Sequence, residues 1–260
     1  MRAVSVLVRL ACTVVLVLVA VGVGSSVGVA GAAPGYESLM VPSAAMGRDI
    51  PVAFLGGGPH AVYLLDAFDA APDVSNWVTQ GNAMGTLGGR GVSVVAPAGH
   101  GVVGASQGGY AALALATFHP DRFRYAGSMS GFLTPERTGI DGAITAGLMQ
   151  YGGVDTRNMW GLPQLGRWKW HSPNAHVQSL ADNNTRLWVF SPTTLTTSDP
   201  AGMIGYPDQA QGTNRAFFAH YNDANGHNGH FEFPPTGDHG WSSWGPELAV
   251  MSSDLIANVK

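Results

Sequence analysis

Cysteine is almost absent from this chain. There is one in 260 residues, Cys12, and it lies in the N-terminal apolar run. Beyond that run the sequence offers no disulfide and no thiol chemistry, so the fold must rest on its core. Charge is sparse too: 12% of residues, 13 basic against 17 acidic, for a net charge of −4. That balance argues against nucleic acid or an anionic surface as the main partner. After residue 23 no stretch is long and apolar enough to span a bilayer. Metal-ligand spacing is missing: His227 and His230 are three apart, but in a glycine-rich turn rather than on a helix. The Gly-rich runs at 56–58 and 88–91 lack the Lys and the helix of a phosphate-binding loop. No cofactor is expected, and no internal repeat is visible.

What is present begins with an export signal. Arg2 and Arg9 make a basic start, Leu10 to Val23 is apolar, and small residues lead to Ala30-Gly31-Ala32, an A-x-A cleavage pattern. The expected organisation is a signal peptide over 1–32 and one domain over 33–260, exported and without a transmembrane anchor after cleavage. The remaining length suits a single large core.

Hydrophobic patterning predicts strands at 39–42 and 49–55, joined by a turn, and buried strands at 61–65 and 92–97. Between the two buried strands it predicts a helix over 76–87, with Trp77, Met84 and Leu87 inward. Further strands are expected at 124–130, 186–191 and 231–233, and helices at 107–118, 207–221 and 245–259. Strands alternating with helices imply an α/β sheet covered on both faces. One connection is awkward. The strands at 92–97 and 101–104 are separated by Ala98-Gly99-His100, whereas parallel neighbours need a crossover of a dozen or more residues. Either this pair is antiparallel or a crossover is missing. Trp160, Trp168 and Trp170 are expected to pack as an aromatic cluster rather than as a sugar-stacking surface. The sequon Asn183-Asn184-Thr185 is discounted as a glycosylation site.

The stretch Gly101-Val-Val-Gly104-Ala-Ser106-Gln107-Gly108-Gly109 has the layout of a nucleophile elbow: strand, sharp turn with serine at its tip, helix. The turn crowds the backbone, so the residues two away from the serine must be small. The helix that follows aims its unpaired N–H groups at the serine. With 36 glycines in the chain, G-x-S-x-G also arises readily by accident, so a base must be found. In this fold the order is serine, acid, histidine. His220, His227, His230 and His239 are the late candidates. His239, in Thr236-Gly-Asp-His-Gly-Trp241 between the last strand and the last helix, stands where the architecture delivers its base. His100 belongs at the far end of the elbow strand, and His119 at the end of the elbow helix.

Several stretches carry a family resemblance: Val41-Pro-Ser-Ala-Ala-Met-Gly-Arg-Asp-Ile50, Ala61-Val-Tyr-Leu-Leu-Asp66, Ala126-Gly-Ser-Met-Ser130, Asn183-Asn-Thr-Arg-Leu-Trp-Val189 and Gly229-His-Phe-Glu-Phe-Pro-Pro-Thr-Gly-Asp-His-Gly-Trp241. The sequence resembles the mycobacterial mycolyltransferases of the antigen 85 family, and most of all its catalytically degenerate secreted side branch. The resemblance implies an α/β-hydrolase fold, a mostly parallel sheet with helices on both faces and one crossover deleted near Gly99-His100. It also implies secretion to the cell wall and acyl transfer from a lipid ester to a trehalose-like sugar. Carried over by position, the nucleophile falls on Ser106 and the base on His239. The oxyanion donors fall on the N–H groups of Phe68 and Gln107, and sugar-pocket positions on Asp69, Thr134 and Trp241. The side branch usually lacks the serine, which is present here. Other positions depart from the family: the acid position holds Gly205, with Asp208 the nearest carboxylate, Asp69 replaces an arginine, and Thr134 replaces an aspartate. Two functions follow as expectations, a serine acyltransferase or esterase and a non-catalytic antigen binding fibronectin or cell-wall glycan.

Overall fold

The computed structural model describes residues 35–44, 47–67, 71, 73–94, 100–153, 155–193 and 206–259. The expected signal peptide, Phe68, Asp69 and Gly205 lie outside them.

Two antiparallel strands open the described chain, β1 (Glu37–Ser43) and β2 (Arg48–Phe54). They form a separate hairpin, tied to the main sheet where Leu55 and Val94 exchange backbone hydrogen bonds of 2.9 and 2.8 Å. The main sheet contains β3 (Ala61–Leu65), β4 (Ser93–Val94), β5 (His100–Ala105), β6 (Phe123–Met129), β7 (Arg186–Phe190) and β8 (Gly229–Glu232). Their order is β4-β3-β5-β6-β7-β8, and every described pairing is parallel.

This order resolves the awkward connection. β4 and β5 are parallel and pair with opposite edges of β3, at the same level: Ala61 stands opposite both Ser93 and His100. Parallel strands are ordinarily joined by a helical crossover, and the residues between Val94 and His100, 95–99, lie outside the described set. The described part of the expected 92–97 strand is the two residues of β4.

The helices are α1 (Asn76–Thr79), α2 (Ala83–Leu87), α3 (Gln107–Phe118), α4 (Ile140–Gly152), α5 (Arg157–Trp160), α6 (Arg167–Trp170), α7 (Val177–Asp182), α8 (Tyr206–Asp223) and α9 (Trp241–Val259). The single helix expected over 76–87 is two, because Asn82 adopts φ 48° between them. The elbow helix has the expected bounds, and His119 follows it, its N–H donating to the Leu115 carbonyl at 2.8 Å.

Strand alternation sends neighbouring residues into different cores. Val103, Trp188 and Phe190 join Trp77, Leu87, Leu248, Met251 and Leu255 beneath α1, α2 and α9. Val102, Leu187 and Val189 join Leu113, Ala116, Phe217 and Tyr221 beneath α3, α7 and α8. Each fully buried Leu or Met in these layers contributes about 1.5–3 kcal/mol.

One buried residue on α9 breaks the apolar pattern. Glu247 is 5% exposed and accepts a 2.6 Å hydrogen bond from the Trp188 indole N–H. Burial pushes its pKa up from 4.5 to about 7; the indole bond pulls down and Glu232 pushes up further. A carboxyl with a raised pKa contributes stability that is fully present below 4.5 and is lost as pH rises through 7. Glu247→Gln keeps an acceptor for Trp188 and removes the titration. In urea unfolding, wild type should lose about 2 kcal/mol more than the variant between pH 5 and pH 8, after allowance for partial solvent access. Parallel pH curves for the two proteins would show that Glu247 does not titrate in this range.

Candidate active site

The elbow is held by backbone packed on backbone. Ser106 follows β5 and precedes α3 with φ 52° and ψ −116°, a strained conformation for a residue with a side chain. Its N–H donates to the Met129 carbonyl at 2.7 Å, and its carbonyl accepts from Tyr110 N–H at 3.0 Å. Both flanking glycines are sterically required. A Cβ on Gly104 would collide with the Gly108 carbonyl, and one on Gly108 would collide with the Leu65 carbonyl and lie 2.6 Å from that of Asp66. The G-x-S-x-G spacing is therefore a packing condition at this turn. Gln107 begins α3, so its N–H belongs to the first turn, where N–H groups have no intrahelical acceptor.

His239 reaches the same point from the other end of the chain. Its Nε2 lies 2.8 Å from Ser106 Oγ, across 133 residues of sequence. The serine O–H donates when Nδ1 carries the ring proton. The ring packs edge-on against Trp244 at 5.2 Å between centroids and near Phe132 at 6.3 Å. Trp244 in turn donates from its indole N–H to Ser130 Oγ at 3.2 Å. Desolvation drives the His239 pKa down to about 4, against an upward pull from Asp238. At neutral pH the imidazole is uncharged, and its Nε2 can accept the serine proton.

Asp238 is adjacent in sequence but is engaged elsewhere. Its carboxylate accepts from the hydroxyls of Ser242 and, at 2.7 Å, Ser243, while its N–H donates to Ser243 Oγ at 2.9 Å. These bonds fasten the His239 loop to the first turn of α9. The acid position Gly205 lies outside the described residues, and Asp208 is placed only through its backbone in the first turn of α8.

The other late histidines are elsewhere. His220 Nδ1 is 3.3 Å from Asn174 Oδ1, His227 Nδ1 is 3.1 Å from the Asn225 carbonyl, and His230 stacks on Trp188 at 3.8 Å with Glu232 at 3.5 Å. Thr134 is buried, and its hydroxyl has no hydrogen-bond partner among the described residues. Trp241 opens α9, packs edge-on to Trp77 and Trp244, and leaves its indole N–H without a partner among those residues. The expected tryptophan cluster holds in part. Trp160 packs on Trp168 at 5.0 Å, but Trp170 faces outward at 62% exposure. Asn183 of the sequon donates from Nδ2 to the Pro120 carbonyl and to Thr185 Oγ1, both at 2.9 Å.

Sequence reasoning missed an apolar cavity of about 70 Å³ next to the elbow. Gln107, Tyr110, Phe132, Leu148, Met159 and Trp160 are among its walls. Its lining comes from α3, α4, α5 and the segment after β6, so no local pattern announced it. The Trp244 contact was legible in principle, since Trp244, Leu248, Met251 and Leu255 recur at helical spacing on one face of α9.

A strained serine at a strand-to-helix turn, a late-loop histidine on its hydroxyl and a parallel sheet covered on both faces define the α/β-hydrolase class. A family model described as putative esterase matches residues 90–255, and the chain belongs to that esterase family. It is 56% identical to the MPT51/MPB51 antigen of Mycobacterium tuberculosis, over 88% of this chain and 89% of the relative. The crystal structure of Mycobacterium tuberculosis MPT51 superposes with a TM-score of 0.83, covering 88% of this chain and all of that one. The MPT51 antigen of Mycobacterium leprae is 53% identical over 305 aligned positions that take in the whole of both chains. Those positions outnumber the 260 residues present, so that relative carries sequence without counterpart here. The diacylglycerol acyltransferase/mycolyltransferase Ag85B of Mycolicibacterium smegmatis is 36% identical, over 92% of this chain and 90% of its own length. The S-formylglutathione hydrolase of Staphylococcus aureus, 14% identical with a TM-score of 0.60, shares the fold.

Proposed function

We propose that this chain is an exported serine acyltransferase or esterase acting on a lipid ester. The observation that carries this reading is the 2.8 Å approach of His239 Nε2 to the hydroxyl of a strained Ser106. Ser106 Oγ attacks the ester carbonyl carbon and passes its proton to His239 Nε2. The oxyanion is held by the N–H of Gln107 and that of Phe68. Collapse breaks the ester C–O bond, and His239 returns the proton to the departing alcohol. In the second half-reaction His239 takes a proton from water or from a sugar hydroxyl. That oxygen attacks the acyl carbon, and Ser106 leaves with the proton. The acyl chain enters the cavity beside Gln107. Asp208 is the nearest carboxylate to the acid position and the candidate to steady the imidazolium, which the pH profile tests. Asp69, Thr134 and Trp241 are assigned to the acceptor, a trehalose-like sugar at the cell wall.

The test is covalent labelling by a fluorophosphonate. Folded protein should react at Ser106, with no reaction in Ser106→Ala and slower reaction in His239→Ala. A folded wild-type protein that resists the probe overturns the proposal.

A second reading is a secreted binding protein for fibronectin or cell-wall glycan, favoured by the glycine at the acid position. It requires adhesion that is unchanged in Ser106→Ala in a solid-phase assay, together with no labelling.

A further inference from the structure

We propose that the face formed by α5, α6 and the turn between them docks on an anionic lipid layer. The inference rests on the acyl-ester reading only for its purpose, since the surface itself is independent of Ser106. Large apolar side chains are concentrated here. Leu162 is 51% exposed, Leu165 67% and Trp170 62%, with Met159 and Phe118 exposed beside them. The segment is built to hold them outward. Trp160 stacks on His171 at 5.5 Å and packs on Tyr110 at 5.4 Å. Trp168 points inward and donates from its indole N–H to the Gly161 carbonyl at 3.1 Å. With Trp168 anchored, Trp170 is turned to solvent, its ring near those of Phe118 at 6.4 Å and His176 at 5.5 Å.

Basic groups outnumber acidic ones on this face, where Asp155 borders Gly161 and Trp168 but is paired with Arg157 at 2.7 Å. From Thr156 to Ala181 there is no Asp or Glu, although acidic residues outnumber basic ones overall. Arg167 and Lys169 alternate with the tryptophans of α6, are exposed, and make no ion pair among the described residues. The chain-wide excess of acid, which argues against an anionic partner for the protein as a whole, does not extend here. Tryptophan interleaved with cations whose alkyl stems lie on apolar surface suits a lipid headgroup boundary.

The patch is also continuous with the apolar cavity. Met159 is both a wall of that cavity and part of the exposed face. An acyl chain drawn from a layer under α6 would pass along apolar surface towards Ser106 without crossing open water.

Amide hydrogen exchange of the full chain tests this, because it reads residues 157–171 separately from the apolar N-terminal run. Vesicles of phosphatidylcholine with phosphatidylglycerol should slow exchange in 157–171, and pure phosphatidylcholine should do so far less. Arg167→Glu with Lys169→Glu should reduce the effect roughly tenfold or more, and Leu165→Ser with Trp170→Ser should remove it. Fluorophosphonate labelling in the absence of lipid should be the same in all of these variants. If labelling fails while the lipid effect stands, the catalytic reading falls and the docking surface survives. Labelling with no slowing in 157–171 overturns the docking proposal. Slowing that grows with protein concentration in the absence of lipid also overturns it, in favour of a second copy of the chain.

Discussion

Replacing His239 by alanine should lower hydrolysis of a short-chain ester roughly 10²–10⁴-fold, the usual contribution of a positioned general base. The folded state should be kept, because the ring lies at the end of a loop and meets the core beneath α9 at the edge of Trp244. The pH profile carries more information. The base works when neutral, and burial holds its pKa at about 4. Wild-type kcat/KM should therefore stay level from neutral pH downwards and fall only as pH drops through about 4. An acid limb near the ordinary imidazole value of 6.5 would show a carboxylate behind the ring, raising its pKa. Repeating the profile in Asp208→Asn would then decide the identity of that acid. A level profile down to about pH 4, unchanged in Asp208→Asn, would mean that the ring works without one. Rates would be correspondingly low, since an imidazolium without a carboxylate is poorly stabilised.

Gly108→Ala should destabilise the protein by about 3 kcal/mol or more, a fall in Tm of roughly 6–12 °C for a domain of this size. The added methyl has nowhere to go. It meets the carbonyl oxygens of Leu65 and Asp66, which are backbone atoms at the end of β3 and cannot rotate away like a side-chain tip. Relief requires α3 to move off β3, and that shift carries Ser106 away from His239. Labelling at Ser106 should then be lost even at temperatures where the variant is folded. A Gly108→Ala protein with wild-type Tm and labelling would show that the elbow is looser than its geometry indicates.

Most of the scaffold was legible from residue order because its cues are local. Apolar runs marked β3, β5, β6 and β7, and the Ala/Leu-rich stretch after Gly109 marked α3 with its bounds. The misreadings have local physical reasons as well. One helix became two because Asn82 takes a left-handed backbone conformation that interrupts the hydrogen-bond ladder. Trp168 and Trp170, expected to pack together, face different ways because residues two apart on a helix point to different sides. Glu247 sits on the apolar stripe of α9, where sequence alone gives no sign that Trp188 will meet it.

The sequence by itself determined the elbow. Gly104, Ser106 and Gly108 lie within five residues, and the crowding of that turn follows from covalent geometry. It also marked the short connection before β5, since a segment too short for a helical crossover is visible as a length. What the tertiary structure decided is that Ser106 and His239 meet. Each is oriented by local backbone, but their 2.8 Å approach depends on the parallel register of β5 through β8 and on α9 packing beneath the sheet. A distance across 133 residues is the sum of many contacts, none of them written in either motif. The cavity beside Gln107 and the outward face of α6 depend on that same packing of distant segments.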